Sequence, residues 1–123
     1  MKVFKLSEIG NRPLFQGDIM LKACPKQKAD ETKKLANNIV AHSETGHHHT
    51  AEHAQVFGLD PMTMFIRPDG KGFIDGVPYV DIVHHRQTDT HETYRLFFDM
   101  PDVDVKIKRQ RERAPSGWRR VED

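Results

Sequence analysis

The sequence predicts an all-β fold, a small single-domain barrel or sandwich of about seven short strands. Three observations lead there. Runs rich in β-branched and aromatic residues recur along the chain between Gly, Pro or Asp punctuation. Apolar and polar residues alternate with a period of two, most clearly where Val103, Val105 and Ile107 interleave with Asp104, Lys106 and Lys108. No stretch carries the apolar stripe of a docking helix: in residues 25–36, PKQKADETKKLA, Leu35 is the only large apolar side chain, so a solvated loop or a single exposed turn is expected there.

Taken in order, the first dozen residues lack periodicity and end at Pro13, which reads as a loosely attached N-terminal arm. Leu14 to Ala23 reads as a strand punctuated by Gly17 and Asp18, with Ile19, Leu21 and Ala23 on one face. From Asn37 the pattern is again β, with Ile39 and Ala41 sharing a face before a turn at Glu44, Thr45 and Gly46 and a histidine-bearing strand. Met62 to Arg67 is a further strand. In GFIDGVPYVDIV, Asp75 and Gly76 separate two β-rich runs, the composition of a two-residue type I′ hairpin whose central positions need positive φ. Pro78, without an amide proton, implies an edge position or a local break in the second arm. Thr90 to Phe98 places Tyr94, Leu96 and Phe98 on one face, and the last long strand runs into a basic C-terminal segment.

With 123 residues the chain can bury its own core without disulfides, and its single Cys24 excludes an internal one. A content of 37% hydrophobic and 30% charged residues argues against a disordered chain. With no signal-peptide pattern and no apolar run able to span a bilayer, a cytoplasmic protein without membrane association is expected. The net charge of +1 hides an asymmetry: residues 106–120 hold seven Lys or Arg and one acid, Glu112. A basic end on a mildly acidic body attracts nucleic acid or an acidic protein surface. Lys106, Lys108, Arg109, Arg111, Arg113 and Trp118 are the candidate contacts, the cations for phosphates and the indole for a base. The competing reading is an edge strand whose charges deter aggregation.

Four of the eight histidines, His47, His48, His49 and His53, fall within seven residues. Alternation along a strand puts His47, His49 and His53 on one face. Histidine is the commonest metal-ligating side chain. His84, His85 and His91 lie some forty residues on, a separation that antiparallel strands readily close. The expected ligand set is His47, His49, His53 and His91, with Glu52 and Glu92 as possible outer partners that orient an imidazole. Nitrogen-rich donors favour a divalent transition metal: zinc, iron, nickel, copper or manganese. His53 lies about 13 Å from His49 along a fully extended strand, so it joins the set only where the strand bends. Without it, an ion keeps an open position for water or substrate. The competing readings are solvent-facing side chains for His42, His48 and His85, and a hydrogen-bonded core residue for His84. Cys24 reads as a small strand-end residue. Nucleophile-elbow, phosphate-loop, dinucleotide and CxxC signatures are absent.

Two resemblances follow from these motifs. The spacing H-x-H-x(3)-H at His47, His49 and His53 is similar to the first cupin motif, which implies a metal in a small β-barrel and the alternative of a cupin-like metalloenzyme, with His53 in place of the family's glutamate. The second cupin motif is not matched between Pro78 and His91, so the activities of that family do not carry over. More of the chain resembles a group of small bacterial and phage proteins of unassigned activity, with QGD, TGHxH, THE and QREY-type segments. The matching residues are Gln16, Gly17 and Asp18; Thr45 to His49; Thr90, His91 and Glu92; and Gln110 to Arg113 with Trp118. Arg113 stands where that pattern has tyrosine. The likeness implies that His47, His49 and His91 matter and adds no reaction; the expected function is a small histidine-rich metal-binding module of binding or regulatory role.

Overall fold

The computed structural model describes residues 1–42, 48–60, 63–85, 92–109, 111–114 and 117–120. The elements are β1 (Lys2–Lys5), α1 (Leu6–Ile9), β2 (Leu14–Gln16), β3 (Ile19–Pro25), a 3-10 turn (Glu31–Lys33), β4 (Ile39–His42), β5 (His48–Glu52), β6 (Ala54–Asp60), β7 (Thr63–Pro68), β8 (Phe73–Ile74), β9 (Val77–His85), β10 (Tyr94–Phe97), β11 (Val103–Arg109), β12 (Arg111–Ala114) and β13 (Gly117–Arg120). One sheet has the order β1-β10-β9-β5-β4, with β8 attached to β9; the second has the order β2-β3-β11-β7-β6. The strands β12 and β13 form a separate two-stranded ribbon. The described pairings are antiparallel except that of β1 with β10.

Both large sheets feed one core. Val80, Ile82 and Leu96 from the first sheet meet Ile19, Leu21, Val56, Ile66, Val105 and Ile107 from the second, all buried in a single cluster. The sheets stay separate and do not close into a barrel, so the architecture is the sandwich. The expected strands are present but more finely divided, because turns that alternation does not register interrupt them. Leu14 to Ala23 is a hairpin, β2 to β3, turning at Gly17 with φ 56. The Asp75–Gly76 turn has φ of 50 and 79 at its two central residues, as a type I′ hairpin requires.

The N-terminal arm is a correction. Lys2 to Lys5 pairs with β10, and Leu6 and Ile9 of α1 are buried in the core. Period-two reading misses this because β1 is short and parallel, and because α1 offers one apolar pair on a single turn. Residues 25–36 behave as the composition implies: the turn Glu31–Lys33 buries no side chain. Leu35 is held by its amide donating to Val56 O at 2.8 Å. On the outer face of the second sheet, buried Asp104 accepts two bonds from the Arg67 guanidinium, at 3.0 and 2.8 Å, and one from the Gln27 amide at 2.7 Å. Pro78 lies in the hairpin extension opposite Phe73, before the register of β9 with β10 begins at Tyr79, so no bond of that ladder is lost.

Candidate functional site

Strand β5 pairs with β9 so that His49 faces His84 and His48 faces His85. Directly opposed residues share a face, and successive residues alternate, so this register sorts the four rings into an inner and an outer pair. The inner rings, His49 and His84, are 1% and 2% exposed and stack with centroids 4.2 Å apart and planes 10° from parallel. The β2–β3 hairpin of the opposite sheet brings two more buried polar residues to His49. Gln16 Oε1 lies 2.8 Å from His49 Nδ1, and Asp18 Oδ1 lies 3.2 Å from Nε2.

The amide orientation follows from its surroundings. Gln16 Nε2 donates to Ile82 O at 2.9 Å and to Glu92 O at 3.0 Å. Carbonyl oxygens only accept, so the NH2 group must face them and Oε1 must face the imidazole. Nδ1 of His49 therefore carries a proton and donates it to Gln16. That leaves Nε2 as the nitrogen directed at the Asp18 carboxyl group, and a close approach of nitrogen to carboxyl oxygen there requires a shared proton or a cation. Asp18, only 2% exposed, is buried with its partners and not at a solvated turn. His84 forms a wall. Its plane lies parallel to that of His49, so its in-plane nitrogens do not aim at a point in front of Nε2.

Segments far apart in sequence converge here: Gln16 and Asp18 of QGD, His49 of TGHxH, and the backbone oxygen of Glu92 from THE. Arg109, next to the QRE segment, pairs in register with Ile19, one residue from Asp18. Of the expected ligands, His49 sits at this centre, whereas His47 and His91 lie outside the described residues. His53 is elsewhere. The strand ends at Glu52, and His53, with φ 61, turns the chain into the second sheet. Its ring packs edge-on against Tyr79 at 5.2 Å. Glu52 is exposed and has the opposite parity to His49, while Glu92 contributes its carbonyl oxygen. Among the described residues no three His, Cys, Asp or Glu side chains form a group able to hold an ion.

Sequence reasoning missed Gln16 and Asp18 as site residues, while the core reading of His84 agrees with its burial. Gln-Gly-Asp reads as turn chemistry, and only the burial of both polar side chains beside a histidine marks it as more. The outer pair lies on the outward face of the sheet, in line with the solvent-facing reading of His48 and His85, and is half-buried there. His48 and His85 stack with centroids 4.7 Å apart at 16°, and Thr50 Oγ1 lies 3.0 Å from His85 Nε2. Burial pushes the His85 pKa down from its ordinary value, and the adjacent His48 acts in the same direction.

The basic candidates are divided. Lys106 is half-buried opposite Lys22 on β3, Lys108 is exposed, and Arg109 is half-buried. Arg111, Arg113 and Trp118 lie on the ribbon, where Arg113 pairs in register with Trp118. Cys24 is half-buried and its thiol pKa is raised, by burial and then by Asp104, the reverse of a thiolate nucleophile. No described helix is long and apolar enough to cross a membrane. No protein-family model, curated protein or solved structure matches the chain.

Proposed function

We propose that the chain is a small metal-binding module of binding or regulatory role whose ion is held at the inner histidine, with His49 Nε2 and Asp18 as donors. The observation that carries this reading is the Gln16–His49–Asp18 arrangement. A neutral imidazole whose Nδ1–H is bonded to an oxygen presents Nε2 as a ligand, the orientation that outer partners impose in metal sites. Two donors bound to one ion at about 2.0–2.2 Å, subtending 90–110°, lie about 3.0–3.5 Å apart. The spacing of Nε2 and Oδ1, 3.2 Å, is compatible with that geometry. An ion would replace the proton otherwise shared by the pair. Mixed nitrogen and oxygen donors suit zinc, iron, nickel, copper or manganese. His47 and His91 are further proposed donors from their positions in sequence, two residues before His49 and one before Glu92. His53 is not included. These four donors fill a four-coordinate ion, so the alternative of a cupin-like metalloenzyme requires a five- or six-coordinate ion that keeps a position for water, without the closed barrel and the His53 ligand of the cupin pattern.

Elemental analysis of purified untagged protein tests the reading. The parent is expected to carry a transition metal, and Asp18→Asn and His49→Gln to lose the equivalent bound at the inner centre while keeping the parent circular dichroism. A parent that stays metal-free after supplementation and dialysis, or variants as loaded as the parent, would overturn it.

A second reading rests on the facing Lys22 and Lys106 with Lys108 beside them, leading into the ribbon. Like charges opposed across a ladder are unfavourable alone and are relieved by an anion. Nucleic acid bound there should dissociate steeply with salt. Neutralising Lys106, Lys108, Arg109 and Arg111 should reduce that salt slope, and absence of binding at low salt ends this reading.

A further inference from the structure

The outer face of the first sheet carries a second histidine constellation that the inner site does not use. His48 on β5 and His85 on β9 are directly opposed, and the register of β4 with β5 sets His42 at the next position beyond His48. Three adjacent strands thus bear histidines at one row of the ladder, and of these His48 and His85 lie on the face opposite to His49. From this row we infer that the His48–His85 pair is a solvent-accessible chelating site for a divalent transition-metal ion, separate from the buried centre.

The geometry supports a shared ion. Directly opposed residues have Cβ atoms about 4.5–5.5 Å apart, close enough for both imidazoles to reach one ion. The rings stand face to face with centroids 4.7 Å apart and 16° between planes. Two nitrogens on one zinc ion need a separation of about 3.0–3.5 Å. As stacked, the in-plane nitrogens of the two rings do not converge; unlike the buried His49–His84 stack, these half-buried rings have room to tilt their edges together about χ2, a torsion with a broad well. Thr50 Oγ1 engages His85 Nε2 at 3.0 Å, which leaves Nδ1 of that ring to meet the ion. Both rings are half-buried, so part of their freedom is already lost before an ion arrives. Glu52 is exposed on the same face, two positions along the strand from Thr50, and adds a negative charge near the row. Asp81, opposite Glu52, is occupied by the Arg95 guanidinium at 2.8 and 2.9 Å and is not available as a donor.

An ion bridging β5 and β9 would clamp the strand pair that also presents His49 and His84. The two sites use different residues and opposite faces, so the outer one stands whether or not the inner one holds metal.

Zinc chloride titrated calorimetrically into chelator-treated full-length protein tests this, using the parent, His48→Gln, His85→Gln, His53→Gln and Asp18→Asn. The parent, His53→Gln and Asp18→Asn should each retain the outer binding event. His48→Gln and His85→Gln should weaken it by about tenfold or more, the scale reached even when an outer partner of a metal ligand is lost. Zinc should also raise the urea midpoint of Asp18→Asn, and should fail to raise that of Asp18→Asn combined with His85→Gln. Equal zinc binding by the parent and both row variants overturns the inference. So does a loss in His53→Gln as large as theirs, which would reduce the effect to the number of exposed histidines. Loss in Asp18→Asn alone would place the zinc at the inner centre and equally overturn it. If one row variant lowers the zinc-free urea midpoint, the other decides.

Discussion

Replacing Gln16 with Glu changes one NH2 group to an oxygen in a 3% exposed side chain, which makes it a sharp test of the hydrogen-bond assignment around His49. In the parent that NH2 group donates to Ile82 O and Glu92 O at 2.9 and 3.0 Å. In the variant a carboxylate oxygen would confront two carbonyl oxygens with no proton between them. The buried Ile82 carbonyl left unsatisfied costs about 1–3 kcal/mol and the part-buried Glu92 carbonyl less, so the pair contributes about 2–4 kcal/mol. That is a large part of the roughly 5–15 kcal/mol that stabilises a domain. With a urea m-value of about 1.5 kcal/mol/M, the midpoint should fall by about 1–3 M. The assay is equilibrium urea unfolding at neutral pH, followed by far-UV circular dichroism. Gln16→Met, of similar length, should also destabilise, since it leaves the same carbonyls unpaired without adding charge, but by less than Gln16→Glu. A Gln16→Glu midpoint equal to that of the parent would show that the amide is oriented the other way. Nδ1 of His49 would then be an acceptor, and the argument that directs Nε2 at Asp18 would fail.

His53→Ala should leave metal content unchanged, because its ring packs against Tyr79 away from His49; elemental analysis showing a loss would restore His53 to the ligand set. Arg67→Ala should cost about 3–5 kcal/mol by urea unfolding, since it strands Asp104, whose side chain is 1% exposed, without its ion-pair partner; a cost below about 1 kcal/mol would show that the Gln27 amide suffices. Desolvation raises the Asp99 pKa, but the Ser7 hydroxyl and amide lower it by more, so its carboxyl group titrates below the usual range when folded. A lowered folded pKa means stability that is present above the unfolded pKa and lost as pH falls through the folded one. Ser7→Ala should therefore flatten the decline in urea midpoint between about pH 5 and pH 2, and an unchanged decline would place the acid sensitivity elsewhere.

The fold class was legible because a half-buried strand must alternate, as β3 and the Val105–Lys108 part of β11 do, whereas β9 is buried on both faces from Val80 to His84. Val105 and Ile107 point inward while Lys106 and Lys108 point outward, as their order along the chain implies. The Asp75–Gly76 hairpin was equally legible, since positive φ at two consecutive positions selects those residue types locally. Strand endings were less so. Alternation carried past Glu52 would keep His53 in phase with His49, but a single left-handed residue at 53 moves the chain to the other sheet and resets the parity. The parallel pairing of β1 was hidden for a related reason: nothing within four residues of KVFK states that its partner lies ninety positions away.

For the candidate site, the sequence by itself determined the residue types and their clustering: histidines on two segments, with one strand presenting His49 and His48 to opposite faces. Only the tertiary structure decided what each face meets. Strand pairing aligned His49 with His84 and His48 with His85, and sheet packing set Gln16 and Asp18 against the inner ring. A polar turn such as Gln-Gly-Asp is ordinary when solvated and costly when buried, and burial is a property of the other sheet. The local chain can specify a donor, but the partner that fixes its proton comes from contacts more than thirty residues distant.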